Sequence, residues 1–114
     1  MKRLLGRKKL LKIYIDTDDT YQNTPLWQVI LKRAKEENLS GATVYKSVSG
    51  MGIHSQIRTY QIVALSQSLP LVIEIIDTEE KITSFLQTLD TLLEEGLVTL
   101  SDVEVIQYKH KSAS

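Results

Sequence analysis

Residues 69–93 read LPLVIEIIDTEEKITSFLQTLDTLL, and within them the hydrophobic period changes from that of a strand to that of a helix. Leu69 to Ile76 are apolar at nearly every position except Glu74. A short apolar run rich in Val and Ile predicts a strand. Pro70 suits the start of such a strand, where its missing donor does least harm. Asp77 followed by Glu80 has the spacing of a capping box with Asp77 as the cap, and acids suit a helix N-terminus. Ile82, Phe85, Leu86, Leu89 and Leu93 then recur at helical spacing, which predicts an amphipathic helix stopping at Gly96.

The flanking sequence repeats the same alternation of element types. Leu11, Ile13 and Ile15 alternate within Leu10–Asp16 and predict a first strand. Thr17 to Asn23 are polar turn residues. Thr24 as a cap and Pro25 at the first position predict a helix start. Leu26, Ile30 and Ala34 supply its apolar stripe, and Ser40-Gly41 its end. Ala42 to Val48 predict a second strand, and Val103 to Tyr108 a fourth. The order β-α-β-β-α-β predicts an α+β, ferredoxin-like fold, an antiparallel sheet with both helices on one face. The domain is expected over residues 10–108, with a basic arm at 1–9 and a polar tail at 109–114. Because the 69–76 strand is apolar on both faces and two helices cover only one, the other face is expected to meet a second subunit.

Composition narrows the function classes. A chain of 114 residues, 42% hydrophobic and 25% charged, fits one ordinary globular domain. The absence of Cys excludes disulfides, zinc ribbons, iron–sulfur clusters and thiol nucleophiles. No apolar run reaches the ~18 residues of a membrane span. The net charge of zero hides an asymmetry. Residues 1–12 hold six basic residues and no acid, whereas residues 13–114 hold eight basic and fourteen acidic residues. The basic arm reads as a solvated terminus running into the first strand, with contact to an anionic surface as the functional alternative.

Few residues form a chemically defined set. Asp16-Thr17-Asp18-Asp19 fails as a calcium loop, because Tyr21 stands where Gly is needed and Trp27 where Glu is needed. A turn with Asp side chains satisfying backbone donors is expected there. His54 and His110 have no metal-ligand spacing, so no metal site is assigned. No nucleophile, base and acid can be assembled, so no catalytic residue is assigned and the chain is not expected to be an enzyme. The first strand offers only Lys12 and Tyr14 toward nucleic acid, and none is expected to bind. Glu74 is expected to pair with a basic group across the sheet or between subunits, with a solvent-facing edge position as the ordinary alternative. The suggestive stretch is Gly50-Met51-Gly52-Ile53-His54-Ser55-Gln56-Ile57-Arg58. Its glycines let backbone N–H groups approach an anion, Arg58 offers a bidentate guanidinium, and His54 offers a hydrogen bond. The ordinary alternative is a turn or bulge, since no helix follows directly as in a phosphate-binding loop.

Gly41-Ala42-Thr43-Val44-Tyr45, Gly50-Met51-Gly52 and Leu69 to Asp77 together resemble the uncharacterised PII-like family of the PII signal-transducer superfamily. Pro25-Leu26, Leu65-Ser66, Glu80-Lys81-Ile82 and Gly96-Leu97-Val98-Thr99 extend that resemblance over about residues 10–108. It implies a ferredoxin-like homotrimer in the cytoplasm that binds a small anionic ligand, typically an adenine nucleotide, in clefts between subunits. It further implies an effector loop between strands two and three, here residues 50–68, with Gly50, Gly52, His54 and Arg58 at its base. A protein partner of that loop is implied, a membrane transporter among the candidates. Two departures stand out: Ser47 replaces a common Gly, and residues 79–100 hold no glycine- and lysine-rich phosphate loop. Cation-tolerance proteins in the same superfamily make divalent-metal binding through His54 and carboxylates the alternative function.

Overall fold

Alternation along Gly6–Asp16 makes the strand around which the sheet is built. The computed structural model describes residues 4–47, 49–51, 57–59, 69–109 and 111. In this strand, β1, Leu11, Ile13 and Ile15 are buried while Leu10, Lys12 and Tyr14 between them are only half-buried, as a side-chain period of two requires. A hairpin of β2 (Thr20–Tyr21) and β3 (Thr24–Pro25) follows, then helix α1 (Leu26–Glu36) and β4 (Thr43–Lys46). A ribbon of β5 (Ser49–Met51) and β6 (Ile57–Thr59) precedes β7 (Pro70–Asp77), helix α2 (Glu79–Leu92) and β8 (Leu97–Val105). The main sheet has the order β4-β7-β1-β8 with every pair antiparallel. This is the predicted ferredoxin-like arrangement.

Both helices lie on one face. Leu26, Ile30 and Ala34 of α1 and Ile82, Phe85, Leu89 and Leu92 of α2 pack with Leu11, Ile13, Ile15, Leu71, Ile73 and Ile75 into one core. Helical and strand periods thus converge on a single apolar layer. Among the described residues no helix is long and apolar enough to cross a membrane.

Several predicted boundaries move, each for a local reason. The cap of α2 is Thr78, whose side chain accepts from Lys81 N at 3.3 Å. Asp77 is instead the last residue of β7 and fully buried. Helix α2 ends at Leu92, with Leu93 extended, so Gly96 does not stop the helix but opens β8. Its φ is 141°, and a Cβ there would meet the Tyr14 carbonyl oxygen at 2.9 Å, which leaves the position to Gly. Helix α1 ends at Glu36, before Ser40-Gly41, because Asn38 takes φ 62°. The Leu39 N–H then donates to Ala34 O and the Asn38 N–H to Lys35 O, which is a Schellman ending. Pro25 occupies the N-cap and Thr24 pairs within the β2–β3 hairpin instead of capping. Gln22 and Asn23, at φ 51° and 67°, form the two-residue turn that such a hairpin favours. The fourth strand spans Leu97–Val105, not residues 103–108, and β1 takes in Arg7, Lys8 and Lys9 of the basic arm.

Candidate functional site

The connection from β4 to β7 contains every residue singled out for ligand binding. In the β5–β6 ribbon the backbone of Gly50 lies directly opposite that of Arg58, flanked by Ser49 opposite Thr59 and Met51 opposite Ile57. Gly52 and His54 lie outside the described residues, as does His110. Two of the four candidates are therefore brought together by backbone pairing.

The root of this connection is held by side-chain hydroxyls. The β4–β7 pairing reaches Lys46 opposite Leu71, and the β1–β7 pairing reaches Asp16 opposite Pro70. One residue further out, the Ser47 N–H and hydroxyl each donate to Pro70 O at 3.0 Å. On the other side, the Thr17 N–H donates to Leu69 O and Thr17 Oγ1 accepts from Leu69 N, both at 2.9 Å. Leu69 is buried, so its backbone groups need such partners. The sequence marks Thr17 only as a turn residue and Ser47 only as a replacement for Gly, since a lone Ser or Thr beside a strand has no pattern that shows its partner.

Thr17 belongs to an acidic turn. Carboxylate oxygens of Asp16, Asp18 and Asp19 lie within 4.8 Å of one another. Asp19 Oδ2 accepts from Asp16 N at 2.9 Å, and the Asp19 N–H donates to Asp16 O at 3.2 Å. This is the turn, with an Asp satisfying a backbone donor, that the sequence predicts. Burial raises the Asp19 carboxyl above the ordinary carboxylate range, and the charges of Asp16, Asp18 and Glu95 add to that rise. The Asp16 N–H opposes it, since a donor favours the charged form.

The sheet face without helices carries the second feature of interest. Tyr45, Val72, Tyr14 and Leu97 lie opposite one another across all four strands, an apolar band of about 14 Å at the usual strand spacing. Tyr45 is 50% exposed and Leu97 56%. In the next row Glu74 lies between Thr43 and Lys12. The Lys12 Nζ is 3.6 Å from Glu74 Oε2, and the Tyr45 hydroxyl donates to Glu74 Oε1 at 3.3 Å. The expected cross-sheet partner of Glu74 is thus Lys12. Below this row a recess of about 360 Å³ opens between Ile76, Gly41, Leu4 and Tyr108, with Glu74 at its edge.

This chain is similar to known proteins along nearly its whole length. A UPF0166 protein of Aquifex aeolicus is 45% identical over 100 residues, covering 88% of this chain and 94% of the relative. A UPF0166 protein of Methanocaldococcus jannaschii is 36% identical, covering 87% and 92%. Among solved structures, CPII from Thiomonas intermedia K12, a nitrogen regulatory PII-like protein bound to ADP, AMP and bicarbonate, superposes with a TM-score of 0.68 at 17% identity, covering 89% of this chain and 90% of CPII. CPII bound to ADP and bicarbonate superposes with a TM-score of 0.64 at 19% identity, covering 89% and 90%. At such identity the likeness is one of fold. Residues 8–105 match the profile of the family described as Uncharacterized ACR, and the chain belongs to that family, DUF190.

Proposed function

We propose that this chain is a non-enzymatic, PII-like regulatory protein of the cytoplasm. It assembles as a trimer through the helix-free sheet face and binds a small anionic ligand, an adenine nucleotide, at clefts between subunits. It presents the segment between β4 and β7 to a protein partner. The observation that carries this reading is the β5–β6 ribbon, whose backbone pairing sets Gly50 opposite Arg58 within the connection that leaves the sheet at Ser47 and returns at Leu69. Glycine and arginine are residue types that suit a phosphate, the one by allowing close backbone approach and the other by a bidentate guanidinium. Gly52 and His54, between the two strands in sequence, complete the proposed contact set. The fold shared with CPII, which binds ADP, AMP and bicarbonate, supports the choice of ligand class. The band of Tyr45, Val72, Tyr14 and Leu97, exposed at its two ends and half-buried between them, supports the assembly, since apolar surface spanning a whole sheet favours burial. Ligand contact would favour one arrangement of the connection and so change the surface offered to a partner.

The test is a thermal-shift and calorimetric titration of the tag-free protein with ADP, AMP and bicarbonate, with mass read by light scattering. A ligand that binds only the folded form, at a hundredfold excess over its dissociation constant, stabilises by about 2.7 kcal/mol. Arg58→Ala is expected to weaken ADP binding at least tenfold, about 1.4 kcal/mol. Unchanged affinity removes Arg58 from the site. Silence of all three ligands overturns the ligand class, and a monomer at every concentration overturns the assembly.

A further inference from the structure

We propose that Thr17 and Ser47 are positioning residues for the ligand-binding segment, their hydroxyls fastening its two stems to the sheet so that ligand occupancy is felt at the turn leaving β1. The inference rests on the ligand reading of the β4–β7 connection. Its structural half stands without that reading.

A proline has no N–H, so Pro70, the first residue of β7, cannot donate to either neighbouring strand. This loss falls where the chain re-enters the sheet and where both ladders end, at Asp16 opposite Pro70 and Lys46 opposite Leu71. A strand end of this kind frays unless other groups complete it. Here two hydroxyls do so from opposite sides. Thr17 Oγ1 accepts from Leu69 N while the Thr17 N–H donates to Leu69 O, both at 2.9 Å, extending the β1 side by one residue. Ser47 places two donors, N–H and Oγ, on the one Pro70 carbonyl at 3.0 Å each, extending the β4 side. Residues 47 and 69 bracket the segment in sequence, and each is one partner of such a bond. The ribbon with Gly50 opposite Arg58 begins two residues beyond Ser47. A ligand gripping that ribbon pulls on stems whose attachment depends on these contacts. On the β1 side the contact ends in the Asp16–Asp19 turn, whose own bonds join Asp16 to Asp19 and Asp19 O to Leu26 N of α1. The clamp therefore links the ligand segment, through the short turn that holds Thr17, to the start of a helix.

The experiment compares wild type, Thr17→Val and Thr17→Ser as full-length, isotope-labelled chains. Amide hydrogen exchange is read at Leu69, with Ile13 in the core as reference. Thr17→Val keeps shape and loses the acceptor, so protection at Leu69 is expected to fall tenfold or more while Ile13 is unchanged. Thr17→Ser is expected to restore it. With ADP as the probe, the Leu69 amide resonance shifts in wild type and in Thr17→Ser, and Thr17→Val binds ADP at least fivefold more weakly. Equal losses at Leu69 and Ile13, or unchanged protection at Leu69, overturn the clamp. A clamp that behaves as expected in a chain indifferent to ADP leaves the positioning of the stems intact and sinks the ligand reading. If Thr17→Val does not fold, Ser47→Ala decides: faster exchange of the residue 47 amide supports the clamp, and an unchanged rate overturns it.

Discussion

Strand β7 carries two carboxylates three residues apart, on opposite faces of one sheet, and they are satisfied in different ways. Asp77, on the helix-covered face, is fully buried, and hydrogen-bond donors surround it. Its Oδ2 accepts from Ser40 N at 2.8 Å and Ser40 Oγ at 2.9 Å, and its Oδ1 from Thr78 N at 2.7 Å. Glu74, on the open face, is half-buried and meets Lys12 and Tyr45 at longer range. Short bonds from fixed donors suit a place that water does not reach, and a loose ion pair suits one that it does. The first arrangement ties the α1–β4 connection to the start of α2. The second leaves a charge pair in the middle of an apolar face, where a further subunit would desolvate it. One face is finished within the chain and the other is not.

The largest expected effect tests the finished face. Asp77→Ala leaves the Ser40 and Thr78 N–H groups without their acceptor. Each such loss costs about 1–3 kcal/mol, so a total near 3 kcal/mol is expected, seen as a fall in Tm of about 10 °C or more. Asp77→Asn keeps one acceptor oxygen and is expected to lose about half as much. Urea denaturation followed by circular dichroism measures both. A loss below 1 kcal/mol for the alanine variant would mean that water replaces the carboxylate, and the contrast with Glu74 would disappear.

On the open face the effect is smaller in an isolated chain and grows with assembly. In an isolated chain Glu74→Ala removes an exposed pair worth about 1 kcal/mol or less. In an oligomer built on that face, Lys12 would be left charged and without that partner inside an interface, at a cost of several kcal/mol. Stability measured across a hundredfold range of protein concentration separates the two cases. A deficit that grows with concentration places Glu74 at the interface. A constant deficit returns it to solvent and removes this face from any subunit contact.

The same contrast explains what could be read in the sequence. The finished face was legible because its residues follow a period: Leu11, Ile13 and Ile15, Leu26, Ile30 and Ala34, and Ile82, Phe85 and Leu89 all reach the core. Element ends were less legible, because they turn on single contacts. Asn38 ends α1 by taking a positive φ, and Thr78 displaces Asp77 as a cap because Asp77 is spent on Ser40. Leu97 to Val105 escaped as one strand because β8 lies at the sheet edge. Its face alternation is diluted by Ser101, Asp102 and exposed Leu100. The candidate site was legible as glycines and an arginine in one stretch. The hydroxyls that root it were not, because Thr17 and Ser47 acquire their partners only when distant β7 is laid beside them.

The smallest expected effect concerns Asp19, at the turn beside that root. Burial and the charges of Asp16, Asp18 and Glu95 disfavour its ionised form more than the Asp16 N–H favours it, so its carboxyl ionises above the ordinary value. In the unfolded chain it ionises near pH 3.9. The folded state therefore holds a proton that the unfolded state has already released, over the interval between the two values. By linkage, Asp19 imposes no penalty below the unfolded value. It weakens the fold as pH rises through the folded value, and the full penalty remains at pH 7. Asp19→Asn removes the charge and keeps an oxygen able to accept from Asp16 N. At pH 7 the variant is expected to be the more stable, by less than about 0.5 kcal/mol, since solvent screens much of the repulsion at a half-buried turn. At pH 3 the advantage should vanish. Paired urea titrations at pH 3, 5 and 7 measure the difference. A variant less stable at pH 7 would show that the Asp16 N–H prefers the charged acceptor by more than the neighbouring carboxylates repel it. The acidic turn would then reinforce its hold on Leu69 when ionised instead of straining it.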